Sequence, residues 1–155
     1  MMVERLKRVT KKDERELKAV YNALEPDKRP TTFEHVLRMQ DWNGLEIALF
    51  VARNYEGKIR GFANASIDKS TGLGCSHWTC MHPRSRDAVT GRQLLKAKLN
   101  WLVNEAGAST VSAEAATPEG RALLRYFGFQ PHTEHGWDYA LLDFNKFKAR
   151  TNYRE

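Results

Sequence analysis

Between positions 75 and 82 the chain carries Cys75, His77, Cys80 and His82, and side chains of these types offer three kinds of chemistry. A thiol can carry an acyl group as a nucleophile. An imidazole with a pKa near neutrality can take a proton from an attacking group. Two thiols and two imidazoles together are a zinc ligand set. The segment Gly74 to His82 reads as a strand ended by Pro83. Strand periodicity places Cys75, His77, Thr79 and Met81 on one face and Cys80 and His82 on the other. That division argues against a metal site and against a disulfide, and no metal is expected. It leaves His77 and Cys75 on one strand face, the imidazole open to a proton-transfer role or to simple packing in the sheet and the thiol open to a nucleophilic one. Glu46, Asp68 and Glu114 are alternative bases, each read first as a surface or ion-paired carboxylate.

Directly after this strand the chain runs Pro83-Arg84-Ser85-Arg86-Asp87-Ala88-Val89-Thr90-Gly91-Arg92 into a leucine-striped segment. A turn whose backbone N–H groups converge, followed by a helix N-terminus, is a site for a diphosphate. Arg86 and Arg92 flank it with positive charge.

The elements that must position these groups are legible in outline. Val3 to Val9 suits a strand, Thr10 with Asp13 opens a helix bearing Leu17, Val20 and Leu24, and Thr31 with Glu34 opens a second through Gln40. Leu45 to Ala52, Ile59 to Ile67 and Gly74 to His82 form an antiparallel run. Gly91 to Ala106 is the strongest helix, with Leu95, Leu99, Leu102 and Ala106 as its inner stripe and Gly107 as its cap. A strand over Thr110 to Ala115 follows. Thr117 then caps a helix with Pro118 at its first position, which ends at Gly128. Phe129 and Trp137 to Leu142 begin and complete the last strands. The order is β-α-α-β-β-β-α-β-α-β-β, a mixed α/β sheet in a single domain over residues 1–155.

The bulk numbers fit that outline. At 155 residues and 41% hydrophobic content the chain is sized for one core. No apolar run approaches the roughly 20 residues of a membrane span, and Met1 to Leu6 is no signal peptide. The expectation is a cytoplasmic protein with its two cysteines reduced. A net charge of +6 suits a phosphate-rich ligand, an acidic partner or a nucleic acid, but the basic residues are scattered without interleaved aromatics, which weakens the nucleic-acid option. His132 and His135 read as loop residues. Trp42 or Trp78 could line a pocket while the other tryptophans fill the core.

The segment Met81 to Leu95 resembles the acetyl-CoA motif of the GNAT N-acetyltransferases: an apolar residue and Pro, then an Arg, then a turn ending in Gly that opens a leucine-rich helix. Pro83, Arg86, Gly91, Leu94, Leu95, Leu99 and Trp101 stand in register with it. Ala122 to Phe129 is similar to the family's later helix and closing Gly-Phe, and the strand order also matches. The resemblance implies splayed central strands, acetyl-CoA as co-substrate and an amine acceptor, small molecule or protein. It implies that Met81, His82, Arg86, Asp87, Ala88, Val89, Thr90, Gly91, Arg92 and Thr117 contact the cofactor, and that His77 and Cys75 face the thioester, which makes His77 the preferred general base. Edge-to-edge homodimers are common in this fold. The chain departs from the pattern at Val89, where a glycine is usual, at Thr117, where many members have Asn, and at Leu124, where many have a tyrosine that protonates the leaving thiolate. Those departures keep open the alternative of a catalytically eroded, phage-type or virion-associated binding protein.

Overall fold

The computed structural model describes residues 1–37, 44–115, 117–132, 139–141 and 143–151. The expected positions Gln40, Trp42, His135, Trp137 and Leu142 lie outside them.

The first strand, β1 (Met2–Leu6), leads to helix α1 (Lys11–Ala23), whose N-cap Thr10 and Asp13 form the anticipated capping box. After the short α2 (Phe33–Val36), strands β2 (Leu45–Arg53), β3 (Ile59–Asp68) and β4 (Leu73–Met81) make the antiparallel run. Helix α3 (Ala88–Asn100) crosses to β5 (Thr110–Ala113), and α4 (Pro118–Tyr126) leads to the short β6 (Gln130–Pro131) and β7 (Tyr139–Leu141). A last helix, α5 (Asn145–Thr151), was not anticipated; its buried Phe147 packs edge-on against Phe127. The sheet order is β1-β2-β3-β4-β5-β7-β6, and β4/β5 is its parallel pair. Among the described residues no helix is long and apolar enough to cross a membrane.

The two faces of the sheet bury separate cores. On one, Ala63, Ala65, Ile67 and Met81 meet Leu94, Leu99 and Leu102 of the α3 segment and Leu124 of α4. On the other, Leu49, Val51, Phe62 and Cys80 meet Leu17 and Val20 of α1 and Val36 of α2. Helix α3 starts at Ala88, three residues before the position expected from Gly91, because Asp87 caps it. It continues as a π-turn over Trp101–Glu105, where Ala106 N–H reaches back to the Trp101 carbonyl at 2.7 Å. Gly107, at φ 77°, then reverses the chain in a conformation that side chains disfavour.

Candidate active site

Only the first four residues of β4 pair with β5, which is used along its whole length, through Leu73–Thr110, Gly74–Val111, Cys75–Ser112 and Ser76–Ala113. Above Ala113 they part. The gap is a cavity of about 620 Å³ whose walls are Ser76–Cys80 of β4, Ala113 at the end of β5 with Glu114 and Ala115 after it, Gly91, Leu95 and Lys98 of α3, and Gly120, Leu123 and Leu124 of α4. The expected splay is therefore present, and Leu124 forms part of its wall.

The strand opens at an irregularity that the sequence did not announce. On β3, Ala63 pairs with Thr79 but Ala65 pairs with Ser76, so His77 and Trp78 together oppose Asn64. This is a β-bulge, and one extra residue reverses the alternation beyond it. The expected shared face of Cys75, His77, Thr79 and Met81 is accordingly corrected. Cys75 pairs with Ser66 on the α1 side, whereas Met81 pairs with Gly61 and enters the α3-side core. Cys75 and Cys80, expected on opposite faces, share the α1 side as free thiols. No metal-binding cluster exists among the described residues.

A bulge leaves backbone groups outside the ladder, and a lysine meets two of them here. Lys98, only 1% exposed, donates from Nζ to the carbonyls of His77 at 2.9 Å and Trp78 at 3.4 Å. Burial pushes its pKa from 10.5 down to about 7, and among the described residues it has no ion-pair partner. Burial, assisted by the charge of Lys98, lowers His77 to about 4, and its Nε2 lies 2.7 Å from Ser66 Oγ. His77 is therefore neutral at physiological pH, and a far weaker base than its ordinary pKa suggested. Burial raises the Cys75 thiol to about 11, so it is protonated and poorly nucleophilic at neutral pH.

At the mouth of the cleft, Pro83–Ser85 form a single tight turn, with His82 Nδ1 accepting from Arg84 N–H at 3.1 Å. Arg60 Nε donates to Ser85 Oγ at 2.8 Å and tethers this turn to β3. Arg86, Ala88 and Arg92 are exposed, and Val89 is 60% exposed in the first helical turn, where its β-branch meets no strain. Asp87 takes part of the anion-binding role for itself. Its carboxylate accepts from both Thr90 N–H and Thr90 Oγ1 at 2.7 Å, which also holds its pKa low. Gly91 is helical, and a β-carbon added there would meet nothing within 4 Å, so the cleft is open above it. Across the mouth, Thr117 Oγ1 accepts from Gly120 N–H at 3.0 Å and caps α4 as expected.

No family model matches the chain, and no curated protein matches it. Solved structures do share its arrangement. A putative acetyltransferase from Exiguobacterium sp. 255-15 superposes with a TM-score of 0.70 at 16% identity, covering 97% of each chain. A ribosomal-protein-alanine N-acetyltransferase from Brucella melitensis gives 0.62 at 20% identity over 91% of this chain and 96% of that one. A spermidine N-acetyltransferase from Vibrio cholerae gives 0.61 at 12% identity over 90% and 91%. The chain has the GNAT fold.

On this GNAT scaffold a second cavity, of about 260 Å³, opens on the α1 side of the same bulge. Leu45, Ile47 and Trp78 give it apolar walls, Asn64, Ser66 and His77 line its floor, and Thr31 and His35 come from the α2 region. Asn64 is 1% exposed and, among the described residues, its Oδ1 has no partner, nor has the buried Trp78 Nε1. Such groups cost free energy unless a ligand or water meets them. His77 and Trp78 line both cavities and form the wall between them. Sequence reasoning found His77 and Trp78 but missed Asn64 and Lys98. Asn64 interrupts the small and apolar run of β3, which was a usable signal; Lys98 gave none, since a lysine on a helix is ordinarily solvated.

Proposed function

We propose that this GNAT-fold chain is an acyl-CoA-dependent N-acetyltransferase that moves an acetyl group to a primary amine. One observation carries the reading: β4 and β5 part at the bulge, whose residues His77 and Trp78 are shared by a long cleft and a compact pocket. A reaction between a thioester and an amine needs two compartments meeting at one point.

The cleft suits a pantetheine arm: it has apolar walls in Leu95, Leu123 and Leu124 and is relieved by Gly91. Acetyl-CoA, when bound, supplies the activated acetyl group as a thioester. Met81 and His82 place the end of β4 at the cleft, Arg86 and Arg92 attract the phosphates, and Ala88, Val89, Thr90 and Gly91 form the first helical turn facing them. Thr117 closes the other side. The amine enters from the α1 side, with Asn64 Oδ1 accepting one of its N–H groups and the neutral His77 orienting it. Cys75, a protonated thiol beside Ser66 and outside the lining of both cavities, takes no covalent role. The acceptor is a small amine or a protein N-terminus or lysine, and the protein works in the cytoplasm.

Thermal-shift titration with CoA tests the cleft, since a ligand that binds only the folded state raises Tm. Incubation with radiolabelled acetyl-CoA and amines of each class tests transfer. A shift with CoA but no transfer to any class would replace this reading with that of an eroded binding protein. The Asp87 carboxylate at the phosphate turn favours that alternative.

A further inference from the structure

We propose that Lys98 Nζ is the proton-transfer group of the acetyl transfer, taking the proton of the attacking amine and delivering it to the departing sulfur. This rests on the transferase reading above and goes beyond it by assigning the acid–base chemistry.

The other ionisable groups of the cleft are poorly placed for this step. His77 is engaged with Ser66 and held neutral by burial, and Cys75 and Cys80 are protonated thiols. Leu124 stands in the cleft wall and carries no proton. Glu114 also lines the cleft but is exposed, whereas Lys98 is fully buried in the cleft wall and bonded to His77 and Trp78, where the strands part.

Its geometry suits the task. A neutral amine has two N–H bonds and one lone pair. The carbonyls of His77 and Trp78 take the two N–H groups and thereby fix the nitrogen. The lone pair remains to accept a proton. Once Nζ is protonated, the new N–H is the acid for the thiolate. In one cycle the acceptor nitrogen bonds to the acetyl carbon and loses a proton to Nζ. The C–S bond breaks with its electron pair on sulfur, and Nζ returns the proton there. The products are the N-acetyl amine and the free thiol, with Lys98 neutral again, and no further reactant is needed.

Charged and titratable groups reach the cleft that Lys98 lines from several elements. β4 brings His77 and Cys80, the segment after β5 brings Glu114, the turn after α1 brings Lys28, and α4 brings only Gly120, Leu123 and Leu124. Arg86 acts on Cys80 from the cleft mouth. With a pKa of about 7, Lys98 is about half neutral near pH 7, where an acid–base group works best.

The test uses the full chain, acetyl-CoA and a panel of spermidine, phenethylamine and an alanine-terminated peptide, with thiol release followed by a chromogenic disulfide. Wild-type kcat is expected to rise with pH and level off above roughly pH 7. Lys98→Met is expected to keep the acetyl-CoA thermal shift, to lose about a hundred- to ten-thousand-fold in kcat and to lose the rising limb. Lys98→Arg, which keeps a cation and its donors but cannot give up a proton at these pH values, is expected to fall equally. A wild-type rate flat in pH overturns the proposal. So does a Lys98→Met or Lys98→Arg protein holding more than a tenth of wild-type kcat, or a weakened variant that keeps the rising limb, which would leave Lys98 a propping role. Should Lys98→Met not fold, the wild-type profile and Lys98→Arg decide. Absence of turnover in wild type on every amine overturns the transferase reading itself, a result distinct from turnover that survives without Lys98.

Discussion

The lower half of β4, Leu73–Ser76, and its upper half, His77–Met81, belong to one strand but differ in what satisfies their backbones. The lower half is held on both sides, by β3 and by β5. A β-carbon on Gly74 would press within 2.9 Å of Leu102, so this part is closed by packing as well as by the ladder. The upper half keeps β3 but loses β5, and the carbonyls of His77 and Trp78 turn to a lysine from the helix above. An open sheet edge inside a protein must find donors elsewhere. The contrast shows that a cleft can be held open by one long side chain reaching out of a helix, which leaves the rest of the gap free for a ligand.

The sharpest way to break this comparison is to fill the open half and leave the closed half alone. Gly91→Phe places a ring in the cleft, where, among the described residues, no atom beyond the helix's own local backbone lies within 4 Å of the added β-carbon. The helix should tolerate it and gain about 0.5 kcal/mol from losing a glycine. Acetyl-CoA affinity should drop by more than about a hundredfold, worth about 2.7 kcal/mol. Melting curves with and without CoA check both signs at once. A variant that still shifts with CoA would place the ligand elsewhere.

The second prediction asks what the lysine costs the fold. Lys98 is depressed in the folded state, to about 7 from 10.5. Between those values the unfolded chain holds a proton that the folded chain has shed, so stability rises with pH across that window. Below it the cost of burying the charge is present in full. The stability gap between wild type and Lys98→Met should therefore move in favour of wild type by about 2 kcal/mol from roughly pH 7 to 9. Urea unfolding at the two values measures it. His77 works in the same direction at lower pH: its depressed pKa means that stability falls as pH drops below 6.5 toward about 4.

Much of the fold was readable before the coordinates because it rests on periodicity and punctuation. The apolar stripe of α3, the Thr10–Asp13 and Thr117–Pro118 starts and the turn at Gly107 are local signals, and each stands where expected. The splay was implied only by family resemblance. The bulge at His77–Trp78 was not readable, because an extra residue in a strand changes no residue type and shows only in the register of its partner. The buried state of Lys98 follows from that bulge and was hidden with it. The C-terminal helix escaped because Phe147 is isolated among basic residues, too little to display a 3.6-residue period. The capping role of Asp87 was readable and was not read. An aspartate ahead of Ala88-Val89-Thr90 is an N-cap signal, and it moves the helix start away from Gly91.

Asp87 also gives the smallest expected effect, which bears on the mouth of the open half. Its carboxylate satisfies Thr90 N–H and its charge favours the helix dipole, so α3 is capped without any ligand. The same charge sits where a diphosphate would approach Arg86 and Arg92, and like charges repel. Asp87→Ser separates the two roles. A serine still caps, since its hydroxyl accepts from the same N–H, but it carries no charge. The protein should lose about 0.3–1 kcal/mol of stability through the weakened dipole interaction. CoA should bind about threefold to tenfold more tightly at low salt, and the gain should shrink as salt screens the charge. Calorimetric titration at low and high ionic strength measures both. If Asp87→Ser binds CoA no better than wild type at low salt, the phosphates lie away from this turn, and the open half of β4 holds its ligand by the pantetheine cleft alone.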